Sequence, residues 1–278
     1  MAIPNNQPLY PIEHFHNDAK INSSYPERLK NILNLQDTKI AFNEISKWDG
    51  YEATILHSLK NLALKIGVSN IYYKDESSRF GLGSFKALGG SYGVLNFLRN
   101  KLTETLNREI SFTDIRLGKY VEQVSKYTVV TATDGNHGRS VASGAKLFGC
   151  NCRIYIHSEV SLGRQKAMEE LGATVVRISG NYDESLRICI KEAQENNWYI
   201  ISDTSYDGYT EYPKHIMAGY TVLTEEIAGQ IADKPLPTHI FLQGGVGGLA
   251  CAVCAYFWEK YPESNIKIVV VEPSRAPC

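Results

Sequence analysis

Residues 127–204 read YTVVTATDGNHGRSVASGAKLFGCNCRIYIHSEVSLGRQKAMEELGATVVRISGNYDESLRICIKEAQENNWYIISDT, and their texture decides the fold. β-Branched runs (YTVVTAT, CRIYIH, TVVRIS, WYIISDT) alternate with helical patterns (HGRSVASGAKLFG, LGRQKAMEELGA, YDESLRICIKEAQENN). Strands joined by crossover helices build a parallel sheet with helices covering it. Met168 and Leu171 in one helix, and Leu186, Ile190 and Ala193 in the next, recur at spacings of three and four, so each helix carries one apolar stripe. Gly149 after KLF and Gly172 after EEL stand where a helix end favours a residue at positive φ.

A second α/β unit starts at Thr238: THIFLQ reads as a strand, GGVGG as a turn, LACAVCAYFWEKY as a helix and NIKIVVVEP as another strand. A run as apolar as IKIVVVEP predicts burial on both faces. Only SRAPC follows it, so the sequence predicts either cover from N-terminal elements or a missing part of the domain.

Composition narrows the function. A chain of 278 residues with 43% apolar side chains hides roughly three quarters of its unfolded surface. Twenty-nine Lys plus Arg against thirty Asp plus Glu leave a net charge of −1, without the basic field that phosphate-backbone binding exploits, so nucleic acid is excluded as the expected partner. The longest apolar run, Leu249 to Trp258, is about half of the roughly 20 residues a membrane-spanning helix needs. The start, MAIPNNQPLYPIEHF, shows no targeting pattern, and the six scattered cysteines fit a reducing compartment, so a cytoplasmic protein is expected. Cys251 and Cys254 form C-x-x-C without a second ligand pair, which reads as one face of a buried helix and not as a metal site. No repeat period or low-complexity segment occurs.

Three segments carry candidate chemistry. In KDESSRFGLGSFKALGGSYGV (74–94), Lys86 lies at a loop-to-helix junction with uncharged flanks, Phe85 on one side and Ala87-Leu88-Gly89-Gly90 on the other. Such a lysine reads either as a solvated helix residue or as a desolvated, nucleophilic amine. TATDGNHGRS ends a strand and opens a helix, placing Asp134, Asn136 and His137 where open α/β sheets gather ligands. The same residue types serve plain turns and helix caps. QGGVGGLA (243–250) puts four glycines between a strand and a helix, suiting either a tight turn or backbone amides converging on an anion. It lacks the Lys-Ser/Thr of a P-loop and the G-x-G-x-x-G spacing, so a phosphate monoester is the expected anion. An amine, a strand-end Asn and a phosphate loop together point to pyridoxal phosphate, whose aldehyde needs an amine and whose phosphate needs a cradle.

From about Tyr10 to Cys278 the chain resembles the fold type II pyridoxal-phosphate enzymes. The wording KDES-RFGL-SFKALGG, TDGNHGR, NYDES and DT-YDGYT is similar to the diaminopropionate ammonia-lyases among them. Serine and threonine dehydratases share the architecture, but their lysine is expected to be followed by Ile or Leu, Arg and Gly, where this chain has Ala87-Leu88-Gly89.

The resemblance implies an α/β fold of two open parallel-sheet, three-layer domains. A large cofactor-binding domain from 1–89 and 216–278, incomplete at its C-terminus, would hold a small inserted domain over 90–215. It implies that Lys86 carries the cofactor and, once displaced by an amino-acid substrate, acts as a base at Cα. Phe85 would pack on the ring, Asn136 would bond the phenolic oxygen, and Gly244, Gly245, Val246, Gly247 and Gly248 would cradle the phosphate. Asp134 would be a second acid/base on the opposite face, and Asp203 a carboxylate beside the substrate amine. The implied reaction takes 2,3-diaminopropionate to pyruvate and two ammonia, with no metal. Relatives continue past EPSRAPC, so the resemblance also implies a missing partner for the pyridine nitrogen and a missing part of a homodimer contact. Two other readings stand beside it: a serine/threonine dehydratase-like lyase, and a non-catalytic fragment of the family.

Overall fold

The structure, a computed structural model, describes residues 11–17 and 24–275. The first ten residues of the start read above, and Cys278, lie outside the described residues. Two short helices, α1 (Glu27–Lys30) and α2 (Leu35–Ile45), precede an antiparallel pair, β1 (Leu56–Ser58) and β2 (Tyr72–Lys74), joined through α3 (Lys60–Ile66). A 3₁₀ stretch, Glu76–Gly81, leads into α4 (Lys86–Leu106), then α5 (Phe112–Arg116) and α6 (Val121–Val124). The alternating segment folds as β3 (Thr128–Ala132), α7 (Asn136–Phe148), β4 (Asn151–His157), α8 (Leu162–Glu169), β5 (Thr174–Ile178), α9 (Tyr182–Asn196) and β6 (Tyr199–Ile200). Last come α10 (Glu211–Gln230), β7 (His239–Gln243), α11 (Gly248–Lys260) and β8 (Lys267–Val271).

Strands β3 to β6 form the expected parallel sheet, in the order β5-β4-β3-β6. The strand read from WYIISDT is cut to two residues, because Tyr209 substitutes for a further strand. Its hydroxyl accepts from Ser202 N–H at 2.8 Å and donates to the Ile200 carbonyl at 3.0 Å. The chain therefore leaves the sheet at Ser202 and carries Asp203 away from it. Helix α9 turns its stripe by one position from the expected one: Ser185, Cys189 and Ala193 are buried, while Leu186 and Ile190 are half-buried. Gly149 caps α7 at φ 87°, and Gly172 sits at φ 89° in the turn after α8.

Helix α4 is buried without a break from Ala87 to Leu98, as befits a helix enclosed by protein on every side. It lies between α7 and α10, and small residues set the closeness of both crossings. A Cβ on Gly89 would stand 2.4 Å from Tyr220 Cε1 and 2.7 Å from the Ile216 carbonyl oxygen, and one on Gly144 would stand 2.7 Å from Ser91 Cα. Gly89→Ala gains about 1 kcal/mol of helix propensity, but overpacking against backbone costs about 3 kcal/mol. A net loss of about 2 kcal/mol in urea unfolding is the expected result, and an unchanged midpoint would show that the crossing is not tight.

The two-stranded parallel sheet β7–β8 departs from expectation. Ile240, Leu242 and Ile268 pack toward the core, whereas Phe241 (68% exposed) and Val271 (55%) face outward. Among the described residues no N-terminal element covers that face, so IKIVVVEP is not buried on both sides. On α11, Cys251 is exposed and Cys254 half-buried, which corrects the buried pair read from the sequence. Among the described residues no helix is long and apolar enough to cross a membrane, and no group of three or more His, Cys, Asp or Glu could hold a metal ion.

Candidate active site

Lys86 is the first residue of α4, at the loop-to-helix junction expected for it. The loop before it is anchored by a buried ionic network. Arg79 donates from Nη1 and Nη2 to the two carboxylate oxygens of Glu226, both at 2.8 Å, and from Nε and Nη2 to Glu76, also at 2.8 Å. Lys74 Nζ reaches Glu226 at 2.7 Å and the Tyr51 hydroxyl reaches it at 2.9 Å. Phe80, next to Arg79, sits at φ 49°, a left-handed conformation that is uncommon for a bulky residue and holds only when its surroundings over-determine it. The network supplies that constraint, together with the Trp48 and Tyr51 rings against Phe80.

The Lys86 amine donates to Asp203 Oδ2 at 2.6 Å. This corrects the uncharged setting read from its flanks: the partner comes from the segment that leaves the sheet after β6, and the lysine side chain is 28% exposed. His137, the second residue of α7, is buried beside the pair. Its Nε2 lies 2.8 Å from the Ile201 carbonyl and its Nδ1 lies 3.7 Å from the same Asp203 Oδ2. Burial works to raise the Asp203 carboxyl, but the neighbouring His137 and Lys86 nitrogens and the Lys86 hydrogen bond outweigh it and hold the carboxyl below its ordinary value.

Asp134 takes a different direction. Its side chain is largely exposed and lies 3.0 Å from His157 Nε2 at the end of β4, while its carbonyl accepts from Arg164. Asn136, the first residue of α7, is exposed. The structure thus brings Lys86, His137 and Asp203 together and places Asp134 against His157.

The glycine segment joins β7 to the N-terminus of α11. The Gly244 amide is engaged by the Val271 carbonyl at 2.8 Å, and a Cβ there would fall 2.3 Å from Glu272 Cγ, so this glycine serves close packing. Gly245 and Gly247 border open space, Val246 is exposed, and Gly247 stands at φ 79°. Tyr220 of α10 connects this loop to Lys86. Its ring packs edge-on against Phe85 at 5.0 Å between centroids, and its Cε2 lies 3.5 Å from where a Gly248 Cβ would be.

Tyr220 Oη and His137 Nδ1 are buried without a hydrogen-bond partner, and unmet buried polar atoms are costly enough to require an explanation. A primary amine, a helix N-terminus preceded by side-chain-free residues, and two polar atoms awaiting partners fit a phosphate monoester that also bears an aldehyde. Neither Tyr220 nor Arg79–Glu226 was among the sequence candidates. The one hint was a glutamate inside the apolar pattern of YTVLTEEIAG.

A family model described as pyridoxal-phosphate dependent enzyme matches residues 47–278. The chain belongs to this family. It is 41% identical over 241 residues to the diaminopropionate ammonia-lyase of Salmonella typhimurium, covering 86% of this chain and 59% of that protein. It is 38% identical over 251 residues to the Escherichia coli diaminopropionate ammonia-lyase, covering 89% and 61%. The crystal structure of the Escherichia coli enzyme in apo form superposes with a TM-score of 0.80 at 35% identity, over 94% of this chain and 68% of that one. The chain spans about three fifths of the length of the curated relatives it matches. Its architecture is the fold type II α/β fold with parallel sheets, and pyridoxal phosphate is the cofactor of the family.

Proposed function

We propose that this chain carries the cofactor-binding and proton-transfer residues of a pyridoxal-phosphate-dependent ammonia-lyase that converts 2,3-diaminopropionate to pyruvate and two ammonia by β-elimination. The observation that carries this reading is the 2.6 Å Lys86–Asp203 contact at the mouth of α4, joined through Phe85 and Tyr220 to the glycine loop. When bound, pyridoxal phosphate supplies the electron sink that drains charge from Cα as its proton leaves. Residues 245–248 and the first turn of α11 would hold the phosphate by backbone amides and helix dipole. Phe85 would pack on the ring, and Asn136, exposed at the start of α7, would bond the phenolic oxygen. Lys86 would take the Cα proton on one face; Asp134, implied by the resemblance as the base on the other, is turned toward His157 in this structure and would have to leave it to act there.

Asp203 gives the substrate preference a physical basis. A carboxylate held ionised in a partly dry site attracts the second ammonium of a diamino acid and gains nothing comparable from a hydroxyl. The reading divides the chain into a larger domain, 1–89 with 216–278, and a smaller one, 90–215; both junctions fall inside long helices, α4 and α10, that cross each other. It extends, on the family likeness and on the free thiols among the described cysteines, to a cytoplasmic homodimer in the complete form.

The test is kcat/KM of the purified chain with added pyridoxal phosphate, by coupled detection of pyruvate and ammonia. A higher value for 2,3-diaminopropionate than for serine or threonine is expected. Equal or reversed ratios would move the reading to a dehydratase, and cofactor bound without turnover of any of the three would make the chain a non-catalytic member.

A further inference from the structure

We infer that His137 is the alternate partner of Asp203: a positioning residue that takes over Oδ2 when the Lys86 amine leaves it. The inference rests on the reading of Lys86 as the amine that carries the cofactor. One carboxylate oxygen faces two nitrogens, Lys86 Nζ at 2.6 Å and His137 Nδ1 at 3.7 Å. A carbonyl only accepts, so the 2.8 Å contact with Ile201 requires the proton on Nε2 and fixes the ring. Nδ1 is then either a bare lone pair aimed at an anion or a second N–H aimed at its acceptor. Buried and without a hydrogen-bond partner, it is satisfied only by the second arrangement, after a closure of less than about 1 Å.

The occasion for that closure is the chemistry of Lys86. An amine tied to an aldehyde no longer offers Asp203 the ammonium it offers here. Asp203, only 11% exposed, would then be a buried charge without a cation, which is strongly unfavourable. His137, whose Nδ1 lies 3.7 Å from the same oxygen, supplies the replacement. Because it also holds the Ile201 carbonyl, it fixes both the backbone and the carboxylate of the segment that departs from β6. Among the described residues, the phenols of Tyr182, Tyr209 and Tyr220 also feel the Asp203 charge. Burial, reinforced by the Asp203 charge, pushes all three up, Tyr182 to about 12, so they stay neutral and cannot replace a cation.

The experiment follows the imidazole nitrogens by NMR in the histidine-15N-labelled 278-residue chain, with the His137 signal assigned by its loss in His137→Gln. Lys86→Met, studied without cofactor, removes the amine permanently. His137 should then bind its second proton roughly tenfold more tightly than in the wild type, and Asp203→Asn added to Lys86→Met should abolish the gain. Adding pyridoxal phosphate to the wild-type chain should move His137 in the same direction as Lys86→Met. A His137 titration unmoved by both treatments, or moved equally with Asp203→Asn present, overturns the inference. Failure of the underlying reading shows separately, as the absence of a visible absorption band when the wild-type chain meets pyridoxal phosphate.

Discussion

Lys86→Ala is expected to eliminate the visible absorption band that the wild-type chain develops with pyridoxal phosphate, and to lower β-elimination by roughly a thousandfold or more. The loss should be this large because, on the proposed function, one amine would serve two purposes, covalent attachment and proton removal at Cα. Lys74, in the same stretch of sequence, cannot substitute, because it is fastened to Glu226, the Thr54 carbonyl and Gln230. Cofactor binding should fall much less than the band, since the backbone amides of 245–248 do not depend on Lys86. Equilibrium dialysis alongside spectroscopy separates the two, and a retained band in Lys86→Ala would place the attachment elsewhere.

Arg79→Met should cost about 3 kcal/mol of unfolding free energy, the lower end for breaking a buried pair. Arg79 and Glu226 each expose 1% of their side chains, so the carboxylate cannot turn to water when the guanidinium is lost. Lys74 stays at 2.7 Å and keeps the loss from being larger. The double change Arg79→Met with Glu226→Leu should recover part of the loss, because a well-packed apolar pair needs no charge compensation. The pH dependence carries the same signature. Burial works to raise the Glu226 carboxyl, but Arg79 and Lys74 outweigh it and hold it below its ordinary value of 4.5. A lowered acid stabilises the fold above its ordinary value and loses that contribution as pH falls toward the lowered one. Wild-type stability should therefore drop in acid, and the Arg79→Met profile should be flatter there. Equal stability of wild type and Arg79→Met at neutral pH would show the network to be dispensable.

The legible parts of this molecule are those with a local cause. β-Branched runs separated by striped helices predict the sheet of β3 to β6, Gly149 predicts the end of α7, and the start of α4 predicts Lys86 at a junction. Contacts between residues far apart in sequence leave no such trace. Arg79 reads as an ordinary polar loop residue in ESSRFG because its partner Glu226 lies 147 residues away. Lys86 reads as an amine in uncharged surroundings because Asp203 is 117 residues away. Gly89 and Gly144 read as small residues, and their use in helix crossings emerges only once α7 and α10 are in place. The phase of α9 differs by one position from that of its apolar residues because Ser185 and Cys189, poor hydrophobic markers, are what it buries. In IKIVVVEP the apolar pattern overstated burial, since packing reaches only one face of the β7–β8 sheet.

We propose that the Lys86 amine, paired with Asp203, is the point at which this chain holds pyridoxal phosphate. The direct measurement is borohydride reduction of the chain mixed with pyridoxal phosphate, followed by peptide mapping of the reduced adduct. One pyridoxyl group per chain, on the peptide carrying Lys86, is the predicted result; label on any other lysine, or spread over several exposed ones, would contradict it.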